Sequence, residues 1–503
     1  MDYQNINSPL PPRQSLSDPS PLSPVRSPDP IGTKEGPPST GFSSSPPVSA
    51  KKSLPIFVIP LTIIILVLLL LFVVFKFLIP ALTGKSSKVV TLNYWGLWED
   101  RSLLEGVIAD FEAKNPNIKI NYKTQQKNDY RSRLSGRLTK DSSIEEVPDI
   151  FRLHSSWLPM FLDNLSPVPD TTAKSIGLDS DYYTVYKHDL KVSNRYLAIP
   201  LMYDGLSLFY NQDLIEKSQT SLPKTWWDLQ TISTNLTVLD NNGRLKVAGV
   251  AMGLTDNVDH WSDIVGVLLN QNGADFTKDD SENNDKIRDV LSYYANFATQ
   301  YKTWDESMPP STQAFAEGKL AFYFAPSWRV FNIEELNPSL RFAITTIPQL
   351  ATLQSHPAVA GPTSDADLTN IHWASYWVEG VNSKSSHQKE AWKFLEYLSS
   401  KEILEKMFAT ASQTRSFGEI YPRISMGSLL SGSSKIKPFI SVANNAESGY
   451  LSSRTFDAGL NTELSKYFAD AINSIALKST DPSTIMTDLR SGINQIIQKY
   501  HLK

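Results

Sequence analysis

The chain has 503 residues, with 48 Lys plus Arg against 52 Asp plus Glu and a formal charge of -4. It therefore lacks the basic field by which dedicated nucleic-acid binders hold phosphate, and its length allows roughly two to four ordinary domains. It contains no cysteine, which excludes disulfides, thiolate metal sites, thiol nucleophiles and a lipid-modified cysteine tether.

Residues 1–53 hold twelve of the thirty-two prolines and twelve serines, in runs such as Pro9-Leu-Pro-Pro12 and Ser43-Ser-Ser-Pro-Pro47. Such a composition buries no core and predicts a disordered tail; its proline runs would also suit an aromatic-grooved partner domain. From Leu54 to Phe75 twenty-two residues carry no charge, which is roughly 33 Å of α-helix. The stretch is too long and too far from Met1 for an ordinary cleaved signal, so it predicts an uncleaved transmembrane anchor over 54–79. Lys51 and Lys52 before it, backed by Arg26 and Lys34, outweigh Lys76, Lys85 and Lys88 after it, which places the N-terminus in the cytoplasm. The expectation is a single-pass cell-membrane protein, with a linker over 80–88 and residues 89–503 outside.

Beyond the linker the pattern becomes α/β. Val89 to Trp95 is a β-branched run of strand length, Ser102-x-x-Glu105 has capping-box spacing, and Leu104, Val107, Ile108 and Phe111 fall at helical intervals before Pro116. Ile118, Ile120 and Tyr122 alternate as a strand, Tyr130, Leu134 and Leu138 mark a second helix, and Pro148 to Leu153 supplies a third strand. This β-α-β-α-β order predicts a parallel sheet, whose ligands lie beyond the carboxyl ends of the strands. Those ends read Trp95-Gly-Leu-Trp98-Glu99-Asp100 and His154-Ser-Ser156-Trp157. Flat indole faces suit the C–H faces of sugar rings, and Glu99, Asp100, His154 and Ser156 can bond hydroxyls; the plainer role of each tryptophan is packing.

Collinear motifs extend the pattern: Lys114-Asn-Pro-Asn-Ile118 after the first helix; Val147-Pro-Asp-Ile-Phe151, Trp157 and Leu165-Ser-Pro167; Asn194 to Pro200 with Leu208-Phe-Tyr-Asn211; Pro223-Lys-Thr-Trp226; Phe315 to Phe322, then Trp328; and Ser383 to Glu402 around Ala391-Trp-Lys-Phe-Leu395. In this order they resemble the extracellular solute-binding proteins of ABC importers, similar to the maltose and sugar binders. The resemblance implies a two-lobe periplasmic-binding-protein-like fold of class II. Lobe 1 would be about 89–202 and 358–417, and lobe 2 about 205–355 and 418–503. It implies crossings near Tyr203-Asp204-Gly205 and Gly361, with Tyr203, Gly205 and Gly361 at the hinge, and closure over a ligand that an importer then recognises. It further implies ABC permease subunits on other chains, a monomeric binding domain, no cofactor and no enzymatic turnover.

Within that frame Thr225-Trp-Trp-Asp228 has the spacing of a capping box, with Trp226 and Trp227 packing, and Asp240-Asn-Asn-Gly243 reads as a turn between strands. Trp261 heads an apolar helix and either faces the cleft or packs. Trp328 lies just past a strand through Phe322 and Phe324 and matches the family's stacking residue. Along Trp373-Ala-Ser-Tyr376-Trp377, alternation puts Trp373 and Trp377 on one face, and Trp373 is taken as the ligand contact. The candidate ligand set is Trp95, Trp98, Glu99, His154, Ser156, Trp157, Asp204, Trp261, Trp328 and Trp373. No tryptophan between Gly449 and Ile475 matches the last stacking residue of maltose binders.

Two rivals come from other classes. A membrane-anchored carbohydrate hydrolase would need carboxylates flanking one bond, whereas Glu99 and Asp100 are adjacent and the seven histidines have no metal spacing. A ligand-sensing receptor without transport would share the same ectodomain. The ligand reads as a sugar, with polyols and sugar phosphates open; Arg152, Arg329 and Arg415 would suit an anion if two of them faced the cleft.

Overall fold

The computed structural model describes residues 67–72, 74, 76, 89–139, 146–351 and 368–502. The chain divides into two units, 1–85 and 86–503. In the first, residues 67–72 are helical with exposed side chains. Among the described residues no helix is long and apolar enough to cross a membrane; the tail over 1–53, most of the span predicted over 54–79, and the linker over 80–88 lie outside them.

In the second unit the three predicted strands form Val90–Gly96, Ile118–Thr124 and Ile150–His154. Val90–Gly96 lies between the other two and runs parallel to both, as the alternation of strands and helices requires. The helix between the first two, Arg101–Lys114, buries Leu104, Val107, Ile108 and Phe111. Its start differs from the capping-box reading: Asp100 is the N-cap, its carboxylate accepting from the Ser102 amide at 2.8 Å. A carboxylate one residue before the helix meets both the free amides and the positive end of the dipole, so it displaces the serine two residues on.

This sheet is completed out of chain order. Trp377–Val381 adds antiparallel to Ile150–His154, and Ile199–Pro200 adds beyond it, making five strands. A second five-stranded sheet runs Phe342–Thr345, Leu206–Asn211, Leu320–Pro326, Leu245–Val250 and Val238–Leu239. Every residue of its central strand Leu320–Pro326 is buried, as expected of a strand covered on both faces. Helix Trp226–Leu236 on this side carries the predicted capping box between Thr225 and Asp228. Trp226 is buried but Trp227 is 62% exposed, because neighbouring helical residues point about 100° apart and only one of the two can face the sheet. Asp240 to Gly243 forms the turn between Val238–Leu239 and Leu245–Val250.

The chain passes between the sheets at two places. Tyr203 pairs with Ile420, its amide donating at 2.8 Å, and Gly205 pairs with Ala374. A Cβ at Gly205 would lie 2.3 Å from the Trp373 carbonyl oxygen, so glycine answers a close backbone approach there; Gly361 lies outside the described residues. Helices Leu460–Lys478 and Pro482–Tyr500 pack on each other and on Ser281–Thr299.

The register of the return strand places Glu379 opposite Arg152. Arg152 is buried, donates to Glu379 Oε1 at 2.8 Å and also pairs with Glu99. Removing one member of such a group leaves uncompensated buried charge, so Arg152→Met should lower stability by about 3–5 kcal/mol. Urea unfolding would show this as a lower midpoint at unchanged m-value, and a loss below about 1 kcal/mol would mean that the two carboxylates do not depend on the arginine.

Candidate functional site

Trp377 opens the return strand directly opposite His154, at the carboxyl end of the parallel strands. Its ring lies 4.9 Å from Trp98 at 84°, and 5.1 Å from both His154 and Trp157. Trp98 is 44% exposed and Trp377 partly so, and together they make a corner of perpendicular indoles. Trp157 is fully buried beneath this corner, packed on Phe161 and Tyr130, and Trp95 is buried as well. Of the three tryptophans read at these strand ends, two therefore pack and Trp98 presents a face.

The polar groups converge on the same corner. His154 Nδ1 takes the Ser156 hydroxyl at 2.7 Å and the Ser156 amide at 3.3 Å, which leaves the ring proton on Nε2, 3.2 Å from Ser375 Oγ. Burial pushes the imidazole down to about 3, with Asp263 pulling the other way. Ser156 Oγ also accepts from Asn461, at 2.7 Å, on helix Leu460–Lys478, which packs on Ser281–Thr299. Glu99 pairs with Arg152 and keeps Oε2 buried without a partner. At the first crossing, partly buried Asp204 accepts from the amides of Gly205 at 2.8 Å and Ser327 at 3.0 Å, and burial pushes its carboxyl up to about 7.

On the second sheet Trp328 precedes helix Arg329–Leu336 and is 36% exposed. The Arg329 guanidinium lies 4.4 Å from its ring centroid, and the His260 ring lies 5.7 Å from it between centroids at 71°. Trp261 is partly buried against the core. Trp373, chosen over Trp377 from the sequence, is only 2% exposed: its Nε1 donates to Asp263 at 2.9 Å and its ring fills the space over Gly266 and Gly449. The alternation expected to set Trp373 and Trp377 on one face does not apply, because His372–Trp373 and Trp377–Val381 are separate strands with residues 374–376 between them. Trp377, Ser375, His260 and Asn461 join the group from outside the candidate ligand set, and so does Arg329, which the sequence offers only as an anion contact; Trp377 stands in the right run, whereas nothing near Asn461 points to Ser156. A cavity of about 490 Å³, lined by Phe111, Lys393, Glu396, Tyr397 and Arg423, shares no residue with this group.

The bacterial extracellular solute-binding protein family matches residues 106–417, more than half of the chain, and the chain belongs to that family. The multiple sugar-binding protein of Streptococcus mutans serotype c is 23% identical over 335 residues, 63% of this chain and 73% of that protein. Among solved structures, the sugar-binding protein MalE of Xanthomonas citri is similar with a TM-score of 0.61 at 18% identity, over 82% of this chain and 98% of its own. A cyclo/maltodextrin-binding protein solved with maltotetraose gives 0.61 at 14% identity, over 81% of this chain and 97% of that one. The fold is thus the mixed α/β two-lobe fold of these binding proteins.

The buried histidines give stability a defined pH slope. An unfolded histidine takes up a proton near pH 6.5, whereas folded His154 stays neutral to about 3 and His372 to about 4. Stability from both is therefore complete above about pH 6.5 and lost as pH falls toward those values. Asp204 acts oppositely, since its folded carboxyl holds a proton that the unfolded chain releases near pH 3.9, so its share is lost as pH rises toward 7. His154→Gln should remove about 1.4 kcal/mol per pH unit from the slope near pH 5. Urea midpoints between about pH 4 and pH 8 would measure it; an unchanged slope would mean that the imidazole is charged in the fold.

Proposed function

We propose that the chain captures an uncharged carbohydrate between its lobes, against Trp98, Trp377 and Trp328, and presents it to ABC permease subunits on other chains. The carrying observation is the corner of two solvent-reaching indoles, 84° apart, with His154, Ser156, Ser375 and Asn461 beside it. Sugar rings offer apolar faces to indoles and hydroxyls to a partly exposed serine such as Ser375, while His154, Ser156 and Asn461, buried and bonded to one another, hold the corner in place. The named relatives, a multiple sugar binder and a protein solved with maltotetraose, support the same class.

Charge favours a neutral ligand over a sugar phosphate. Arg152 is held by Glu99 and Glu379, Arg329 has Asp259 at 3.4 Å, and Arg415 has Glu419 at 2.6 Å. Each arginine that could have taken an anion already has a carboxylate. Binding without turnover is supported by the same accounting, since Asp100 caps a helix and Glu99 belongs to the arginine group. Tethering rests on the charge-free run from Leu54 to Phe75 with its lysine flanks, which favours a single membrane-spanning anchor, a cytoplasmic N-terminus and an outward binding unit.

A thermal-shift series on the full-length chain tests the ligand. Maltotetraose or another neutral oligosaccharide should raise the unfolding midpoint in proportion to the logarithm of its concentration once above Kd, and Trp98→Ala should remove the rise. A flat response to every neutral sugar together with a rise from a sugar phosphate would overturn the uncharged-carbohydrate reading.

A further inference from the structure

The second sheet carries a run of buried polar contacts that ligand capture leaves unexplained. Trp373 donates from Nε1 to Asp263 Oδ1, which also accepts from the Ser453 amide at 3.1 Å. Asp263 Oδ2 lies 3.3 Å from His260 Nδ1, and that nitrogen is 2.7 Å from Ser453 Oγ. On its other side His260 Nε2 accepts from Arg329 Nε at 3.0 Å. Asp259 completes the surroundings of Arg329 and is itself bound by the Thr312 amide and hydroxyl at 3.0 and 2.6 Å and by Arg454. The run joins a segment that crosses between the lobes to the ring of Trp328.

A guanidinium has donors only, so the imidazole nitrogen facing Arg329 must be an acceptor and its one proton must sit on Nδ1, toward Asp263 and Ser453. A second proton would set N–H against N–H and place a cation against Arg329. The charged and titratable groups around the ring are Asp263 and Asp259, which favour a cation, Arg329 and Arg454, which oppose it, and Tyr323, whose ring lies 6.3 Å away. We propose that His260 is a positioning residue, whose neutral imidazole holds Arg329 over the Trp328 ring and so fixes the aromatic face of the second lobe, and that acidification releases this face. Burial holds His260 below the ordinary histidine range, against the pull of Asp263. The inference rests on the carbohydrate reading only for the use made of Trp328; the contacts themselves stand without it.

The test uses the full-length chain labelled with 5-fluorotryptophan, the Trp328 resonance being identified by its loss in Trp328→Phe. At about pH 7.5, His260→Leu should shift or broaden that resonance, and His260→Gln, whose amide oxygen can replace Nε2 as the acceptor, should leave it in place. Lowering the pH to about 5 should move the wild-type resonance in a step below about 6.5 that is missing in His260→Gln, whereas any step near 7 from Asp204, whose carboxylate accepts from the Ser327 amide, should be common to both. An unmoved resonance in folded His260→Leu, or equal pH dependence in wild type and His260→Gln, overturns the proposal. Should His260→Leu fail to fold, the comparison of wild type with His260→Gln decides alone. Maltotetraose titrations at both pH values separate the two readings: weaker binding at the lower pH in wild type but not in His260→Gln supports the positioning role. Absence of binding at either pH would count against the carbohydrate reading, while the fluorine result would still decide the role of His260.

Discussion

A buried guanidinium between two carboxylates anchors the first lobe. Arg152 cannot keep its charge out of water without Glu379, which lies 227 residues further along the chain, beyond the strands of the second sheet. The pair fixes the register of the return strand, because a slip of one residue would send Glu379 to the other face. The same register sets Trp377 against His154. The aromatic corner is therefore a consequence of where a charge had to be compensated, and the solute site stands on the element that ties the two lobes together.

What the sequence made legible was local. Periods of two and of three to four residues located the strands and helix of the opening β-α-β unit, and the rule that parallel sheets bind at their carboxyl ends led to Trp98, His154 and Ser156. Errors arose where two local rules competed. Asp100 and Ser102 are both good caps, and the carboxylate nearer the helix start prevailed. Trp226 and Trp227 cannot both face inward from one helix. Strand alternation sets Trp373 and Trp377 on one face, but the strand is broken over residues 374–376, and no local rule tells the buried Trp373 from the partly exposed Trp377. Contacts over long separations left no trace at all: Asn461 reaches Ser156 across 305 positions, and no local pattern shows whether an arginine already has its carboxylate.

That last point bears on specificity. An arginine in a binding cleft is ordinarily read as an anion receptor, but its availability depends on what else it touches. Here the candidate arginines are each matched by an acidic side chain, while Trp98 and Trp328 retain open surface. Leaving large aromatic faces in contact with water forgoes roughly 25 cal/mol for each Å² that could have been covered. A fold that neutralises its arginines and leaves its indoles uncovered is arranged for a ligand recognised by ring faces and hydroxyls.

The two lobes hold their aromatic faces by different means. In the first, Trp377 is fixed by strand register and by rings packed edge to face, none of which titrates near neutral pH. In the second, Trp328 lies outside the sheet, and its neighbour Arg329 is oriented through an imidazole that must stay neutral. A two-lobe binder needs both faces in place for the closed state to be favoured by the ligand. If His260 positions Arg329 as proposed, the first lobe offers a rigid surface and the second a conditional one, and acidification would loosen the grip on solute from the second lobe.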